Sequence, residues 1–163
     1  MADDENGVRY GAIKVFHGAS VSAYTGWVTE PYIGIENKFG LRPARSQEDL
    51  NELLLKIHRA GLQAWVHCNG DRELDMVVTA FEYVLNTASR ADHRHRLEHC
   101  SVVTPELLRR IKAAGLVVVP HSYMCGSTAT FLTPTIRSAG TPFIHRNRCS
   151  ISAFRAQRTA IRL

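Results

Sequence analysis

The chain has 163 residues, 45% of them hydrophobic, and a formal net charge of +5 at pH 7. That is enough apolar material for one packed domain and argues against a disordered chain. No run approaches the roughly 18 apolar residues of a membrane span, and the acidic start Met-Ala-Asp-Asp-Glu-Asn is unlike a secretory leader, so a cytoplasmic protein without membrane contact is expected.

After the polar start, Tyr10 to Phe16 reads as a strand that Gly18-Ala19-Ser20 breaks. Residues 21–45 mix Gly26, Pro31, Gly34, Gly40 and Pro43 with Tyr24, Trp27, Tyr32 and Phe39, a composition that resists a helix and suits a long functional loop over a pocket. Ser46, an acidic Gln47-Glu48-Asp49 turn and the stripe Leu50, Leu53, Leu54, Ile57 predict a capped helix stopped at Gly61. Leu62 to Cys68 reads as the next strand. Asp71 then opens and caps a helix with the stripe Leu74, Val77, Val78, Phe81, Val84, Leu85. Arg94 to Cys100 gives a third strand. Thr104-Pro105-Glu106 starts a helix that Gly115 closes, and Leu116 to His121 is a β-branched fourth strand. Strands alternating with helices indicate parallel crossover units.

From residue 126 onward the chain has six Arg and no acid, whereas residues 1–125 carry 14 Lys and Arg against 15 acids. The basic balance therefore belongs to a tail, residues 126–163, expected to be poorly structured, and nucleic acid is not the expected partner. A shifted reading frame yields such a stretch. If Ser127-Thr128-Ala129-Thr130 were encoded AGC-ACG-GCG-ACG behind a codon ending in G, the neighbouring frame reads Glu-His-Gly-Asp. The cysteines Cys68, Cys100, Cys125 and Cys149 have no CxxC spacing, so reduced, buried thiols are expected rather than a zinc knuckle or redox pair.

Four apolar runs carry a candidate ligand: Lys14 within the first, and His67, His99 and His121 at the ends of the others. Ligand-capable side chains at the C-terminal ends of parallel strands are how a β/α barrel builds a metal site on one rim. The string His67-Cys68-Asn69-Gly70-Asp71-Arg72-Glu73-Leu74-Asp75 places an imidazole at a strand-to-helix turn, with Asp71 suited to orienting a ligand from behind it. A strand-end histidine bonded to backbone accounts for His67 alone equally well. Arg94-His95-Arg96-Leu97-Glu98-His99 brings His99 to the next strand end, while Glu98 either supports the site or pairs with Arg96 or Arg94. Lys14 is an ammonium in an apolar stretch, which either reaches solvent or becomes a carbamylated, metal-bridging ligand.

Taken together, Gly11-Ala12-Ile13-Lys14-Val15-Phe16, Glu30-Pro31-Tyr32, the His67 to Asp75 string, and Arg94 to His99 with Thr104-Pro105-Glu106 resemble amidohydrolase family 3 in order and spacing, over about residues 8 to 124. The resemblance implies a partial (β/α) TIM barrel covering strands four to seven, within residues 1–125. It also implies a metal-dependent hydrolase that cleaves non-peptide, amide-like C–N bonds of a small-molecule substrate. His67, His99 and Lys14 then correspond to ligands of a divalent metal, zinc being the expected ion, with Asp71 and Glu98 behind them and His121 and Ser122 facing substrate. His17-Gly18-Ala19 departs from the commoner Asp-Gly pair. The strand-one His-x-His pair and the strand-eight Asp of the family have no counterpart, and His93-x-His95 does not replace the former. A complete barrel takes about 250 residues, so an inactive fragment is one expectation. The competing one is a non-catalytic interaction module whose Arg-rich tail contacts acidic partners.

Overall fold

A computed structural model describes residues 2–3, 7 and 9–120. The expected tail 126–163, together with His121, Ser122, Cys125 and Cys149, lies outside the described residues. Two short strands, β1 (Ala2–Asp3) and β2 (Arg9–Tyr10), pair antiparallel, which the polar composition of the start did not announce. The main body is β3 (Ala12–Phe16), α1 (Gln47–Arg59), β4 (Gln63–Cys68), α2 (Asp71–Thr87), β5 (Arg96–His99), α3 (Pro105–Ala113) and β6 (Val117–Pro120). Its four strands form one parallel sheet in the order β3-β4-β5-β6, so the chain is a mixed α/β fold.

Helix ends follow from sequence chemistry. Ser46 accepts from the Asp49 N–H at the start of α1, and Thr104 does the same for Leu107 at the start of α3, with Pro105 at the first helical position where its missing donor costs nothing. Both helices end in a paired-bond cap. The Gly61 and Leu62 amides donate to His58 and Ile57, and the Gly115 and Leu116 amides donate to Lys112 and Ile111. Both glycines are left-handed, with φ of +75° and +63°.

Strand ends are shorter than the apolar runs suggest, for local reasons. Leu62 is spent on the α1 cap, and Arg94 has a φ of +49°, which no extended strand tolerates, so β5 begins at Arg96. Asp71 is the first residue of α2 rather than its cap. The cap position is Gly70, and Glu73 reaches back to accept the Gly70 N–H at 3.1 Å, which is half of a capping box.

Alternation sorts the sheet into two faces. Val15, Val66 and Leu97 are paired across the sheet and buried against α1 and α2, where Leu50, Leu54, Leu74, Val78 and Phe81 are fully covered. The opposite face carries two rows, Lys14–Trp65–Arg96–Val117 and Phe16–His67–Glu98–Val119. Among the described residues no helix lies over this face, and Phe16 is 67% exposed on it. None of the described helices is long and apolar enough to cross a membrane.

Candidate metal centre

His67 and His99 end neighbouring parallel strands, and their rings meet edge-to-face at a centroid distance of 4.6 Å. Register alone would not achieve this. His99 pairs with Cys68, which is buried in the helix-covered core, so strict alternation sends the His99 side chain away from His67. The backbone reverses it: the Cys100 N–H donates to Glu98 O at 3.1 Å across His99, whose φ is +75°. That is a γ-turn of the rare, strained kind, and Cys100 follows at φ +49°. Strain of about 1–3 kcal/mol per such residue persists where surrounding structure holds it, and functional sites are where it concentrates.

The His67 ring is stacked under Phe16 at 4.3 Å, and its Nε2 lies 3.1 Å from the Ala19 carbonyl oxygen and 3.1 Å from Asn69 Nδ2. Asn69 Nδ2 donates to the same Ala19 carbonyl at 2.7 Å, and Asn69 Oδ1 accepts from the Ser101 hydroxyl at 2.7 Å. Asn69 therefore ties together the segments that follow β3, β4 and β5. With Nε2 occupied in this way, Nδ1 is the atom of His67 left for a metal.

The loop after β3 is held by carboxylates at the head of α2. Glu73, fully buried, accepts backbone N–H groups from Ala19 at 3.0 Å, Trp27 at 2.7 Å, Asn69 at 2.8 Å and Gly70 at 3.1 Å. Asp71 accepts from Thr29 N–H at 2.9 Å and from its own neighbour Arg72. Asp71, expected behind a ligand, has its carboxylate engaged in anchoring the loop, and the side chain of Asn69 is the one from this string that lies against His67. The loop closes on a small core of Val21, Val28, Tyr32 and Val102, with Tyr32 OH donating to Gly26 O at 2.7 Å. Sequence reasoning missed Glu73, although Gly70-x-x-Glu73 is a readable capping signal. For Asn69 the sequence offered none.

Lys14 is exposed on the sheet face opposite α1 and α2, the solvent-reaching alternative of the two. Glu98 shares a row with His67 but its carboxylate is paired with Arg96 at 2.9 Å, and Arg96 stacks over Trp65 at 4.1 Å, the pairing that competed with a site role. His17 is buried with neither ring nitrogen hydrogen-bonded to protein, and burial, then the charges of Arg45 and His67, lowers its pKa to about 4. His93 and His95 stay out of the site, as expected, forming instead a buried cluster with His58 on the far side of the sheet. Cys68 and Cys100 are buried free thiols, and burial pushes Cys100 up to about 12.

Two adjacent imidazoles are a chemically apt pair for a borderline divalent ion. By themselves they do not make a complete site: no cluster of three or more His, Cys, Asp or Glu able to hold an ion occurs among the described residues.

Residues 2–124 match the model of the amidohydrolase family. The chain is 30% identical over 107 residues to Protein LONG AFTER FAR-RED 3 of Arabidopsis thaliana, a match spanning 66% of this chain and 18% of that one. It is likewise 30% identical over 103 residues to Putative amidohydrolase YtcJ of Bacillus subtilis (strain 168), spanning 63% and 19%. The matches thus span about a fifth of these curated relatives' length. Among solved structures, an uncharacterized metal-dependent hydrolase from Pyrococcus furiosus aligns with a TM-score of 0.69 and 23% identity over 84% of this chain and 27% of that one. One from Pyrococcus horikoshii OT3 aligns with 0.65 and 24% identity over 77% and 24%. The motifs, the parallel α/β fold and a family match over most of its length agree: this chain belongs to the amidohydrolase family.

Proposed function

We propose that the chain forms part of a metal-dependent hydrolase acting on amide-like C–N bonds of small molecules, with its sheet as an arc of a β/α barrel equivalent to strands four to seven. The observation that supports this most is the convergence of His67 and His99 at the C-terminal ends of adjacent parallel strands, the rim where barrels place their chemistry, by means of a strained turn. The family membership and the printed names of the relatives point the same way.

In this reading His67 and His99 hold a divalent ion, zinc by donor chemistry, which supplies carbonyl polarisation and acidification of water. Phe16, stacked on His67, keeps the imidazole in place and shields one side from solvent. Lys14 stands on the same face two residues before Phe16, and further strands over that face would desolvate it into a candidate third ligand. Zinc or cobalt(II) titration of the full chain tests the site: binding is expected, and His67→Ala and His99→Ala should each abolish it. Binding untouched by both substitutions overturns the assignment, and turnover of simple N-acyl and formamide substrates tests the activity.

The second reading, an interaction module, is favoured by the same sheet face, where Phe16 is exposed and, among the described residues, Trp65 Nε1 and Arg96 Nε have no hydrogen-bond partner. Salt-dependent binding of a polyanion by a chain that takes up no metal would support it.

A further inference from the structure

We propose that His58, His93 and His95 form an acid-operated latch, which ties the C-terminal ends of α1, α2 and α3 to the starts of β4, β5 and β6 and opens as one unit when it takes up protons. The latch sits at the N-terminal end of the strands, opposite His67 and His99, so it does not depend on the metal reading.

Its hydrogen bonds fix every proton. The Ala64 N–H donates to His95 Nδ1 at 3.0 Å, so the neutral His95 ring carries its proton on Nε2. That proton faces His58 Nδ1, 2.9 Å away, which is therefore an acceptor. The His58 ring, in the last turn of α1, also bonds the backbone of Ala88 at the end of α2. His93 Nδ1 accepts from the His95 N–H at 3.1 Å, and its Nε2–H donates to the Ala114 carbonyl at the end of α3, also at 3.1 Å. The His95 carbonyl accepts the Val117 N–H at 2.9 Å, where β6 begins. Three rings thus offer three lone pairs, and each is already taken by an N–H. A proton added to any ring sets two donors face to face. Because His95 bonds both of the other rings, its release frees their lone pairs for further protons.

The surroundings also oppose a single charged ring. His95 stacks against Phe81 and His93, each at 4.9 Å. Arg90 donates to the carbonyls of His58 and Leu62 at 2.9 Å and of His93 at 3.4 Å, which keeps a fixed positive charge beside the cluster. Asp92, next to His93, is exposed and paired with Arg94 at 2.7 Å, and among the described residues no carboxylate is bonded to any of the three rings. Burial is the largest cause lowering the pKa of all three, and Arg90 lowers each further. The loop at the other end of the sheet hangs instead on the Glu73 and Asp71 carboxylates, and buried His17 has no hydrogen bond to protein for a proton to break. Acid therefore opens the latch end first.

The test is an NMR titration of the full chain with ¹⁵N-histidine from about pH 8, where a free imidazole is neutral, to about pH 4, with amide exchange followed in parallel. At the start all three rings should carry their proton on Nε2. On acidification they should become imidazolium together, at one midpoint below the free value of about 6.5 and with a Hill coefficient of about 2–3. The Ala64 and His95 amides should lose protection at that midpoint, while the Ala19 and Trp27 amides held by Glu73 keep theirs. His58→Gln, whose amide oxygen accepts from His95 Nε2–H but takes no proton in this range, should lower the coefficient by about one. A ring protonated on Nδ1 at the start, three separate midpoints, or imidazolium formed with the Ala64 and His95 amides still protected would each overturn the latch. So would loss of the Ala19 and Trp27 protection at the same midpoint, which is global unfolding. Should His58→Gln fail to fold, the wild-type titration decides on the same results.

Discussion

Acid should destabilise this fold through a buried histidine far from the candidate site. His95 is fully buried; its Nδ1 accepts from the Ala64 N–H at 3.0 Å and its Nε2 lies 2.9 Å from His58 Nδ1. Because Nδ1 is an acceptor, the ring is neutral with its proton on Nε2, and adding a second proton would turn Nδ1 against the Ala64 donor. Burial first, then His93, His58 and Arg90, lowers its pKa to about 3. Between about pH 6.5, the unfolded value, and about 3 the unfolded chain therefore binds more protons, so stability is present above the upper limit and is lost as pH falls through this window. At 1.36 kcal/mol per unit, going from about pH 7 to pH 5 costs about 2 kcal/mol from His95 alone. His17, at about 4, adds a loss of similar size and the same sign. Urea unfolding of wild type at both pH values measures the sum, and His95→Phe removes one share. The variant is expected to lose about 1–3 kcal/mol at pH 7, through the unpaired Ala64 N–H, but to lose about 2 kcal/mol less than wild type on acidification. An unchanged acid slope in His95→Phe would refute the account.

Glu73→Gln turns an amide NH₂ toward two of the four backbone donors now held by the carboxylate, so a loss of about 2–4 kcal/mol is expected, with cleavage of the 19–41 loop in limited proteolysis at concentrations that spare wild type. Gly18 has a φ of +95° and an added Cβ would fall on the Glu73 carboxylate, whereas Gly61 at +75° faces open space. Gly18→Ala should therefore cost more than Gly61→Ala, the latter about 1–2 kcal/mol, and equal midpoints in urea would contradict this. Cys68 and Cys100 should resist iodoacetamide in the native chain, because burial raises both thiols, and should react once urea unfolds it; rapid native labelling of either, read by mass spectrometry of peptides, would be the contrary result.

Where local rules act alone, the sequence was readable. The stripes of α1 and α2, the Ser46 and Thr104 caps and the glycine stops depend on residues within one turn of each other, and each appears where the pattern placed it. Readability fell where a long-range partner decides. Lys14 lies in a run whose letters suggest burial, but whether it is desolvated depends on a layer outside its own strand. Asp71 and Glu73 are both acids at a helix head. Which one grips the loop's Ala19 and Trp27 amides depends on residues more than 40 positions away, beyond the reach of spacing rules.

The His67 and His99 rings meet for a reason that the strand-end pattern does not contain. Placing ligands at strand ends presumes that a strand-end side chain points along the rim, yet parity matters: the partner of His67 in register is Glu98, and His99 falls in the row of buried Cys68. A fold optimised for stability would leave His99 extended and pointing toward the core, or replace it with an apolar residue. Instead the chain places two successive left-handed residues, neither glycine, at a cost of about 1–3 kcal/mol each, and with them the His99 ring meets His67. The surrounding bonds, Cys100 N–H to Cys68 O at 3.0 Å and Val102 N–H to Asn69 O at 2.9 Å, hold the strain in place by tying the turn to the loop that carries His67. Stability alone does not call for such a turn; under the proposed metal reading, its purpose is the juxtaposition of two imidazoles.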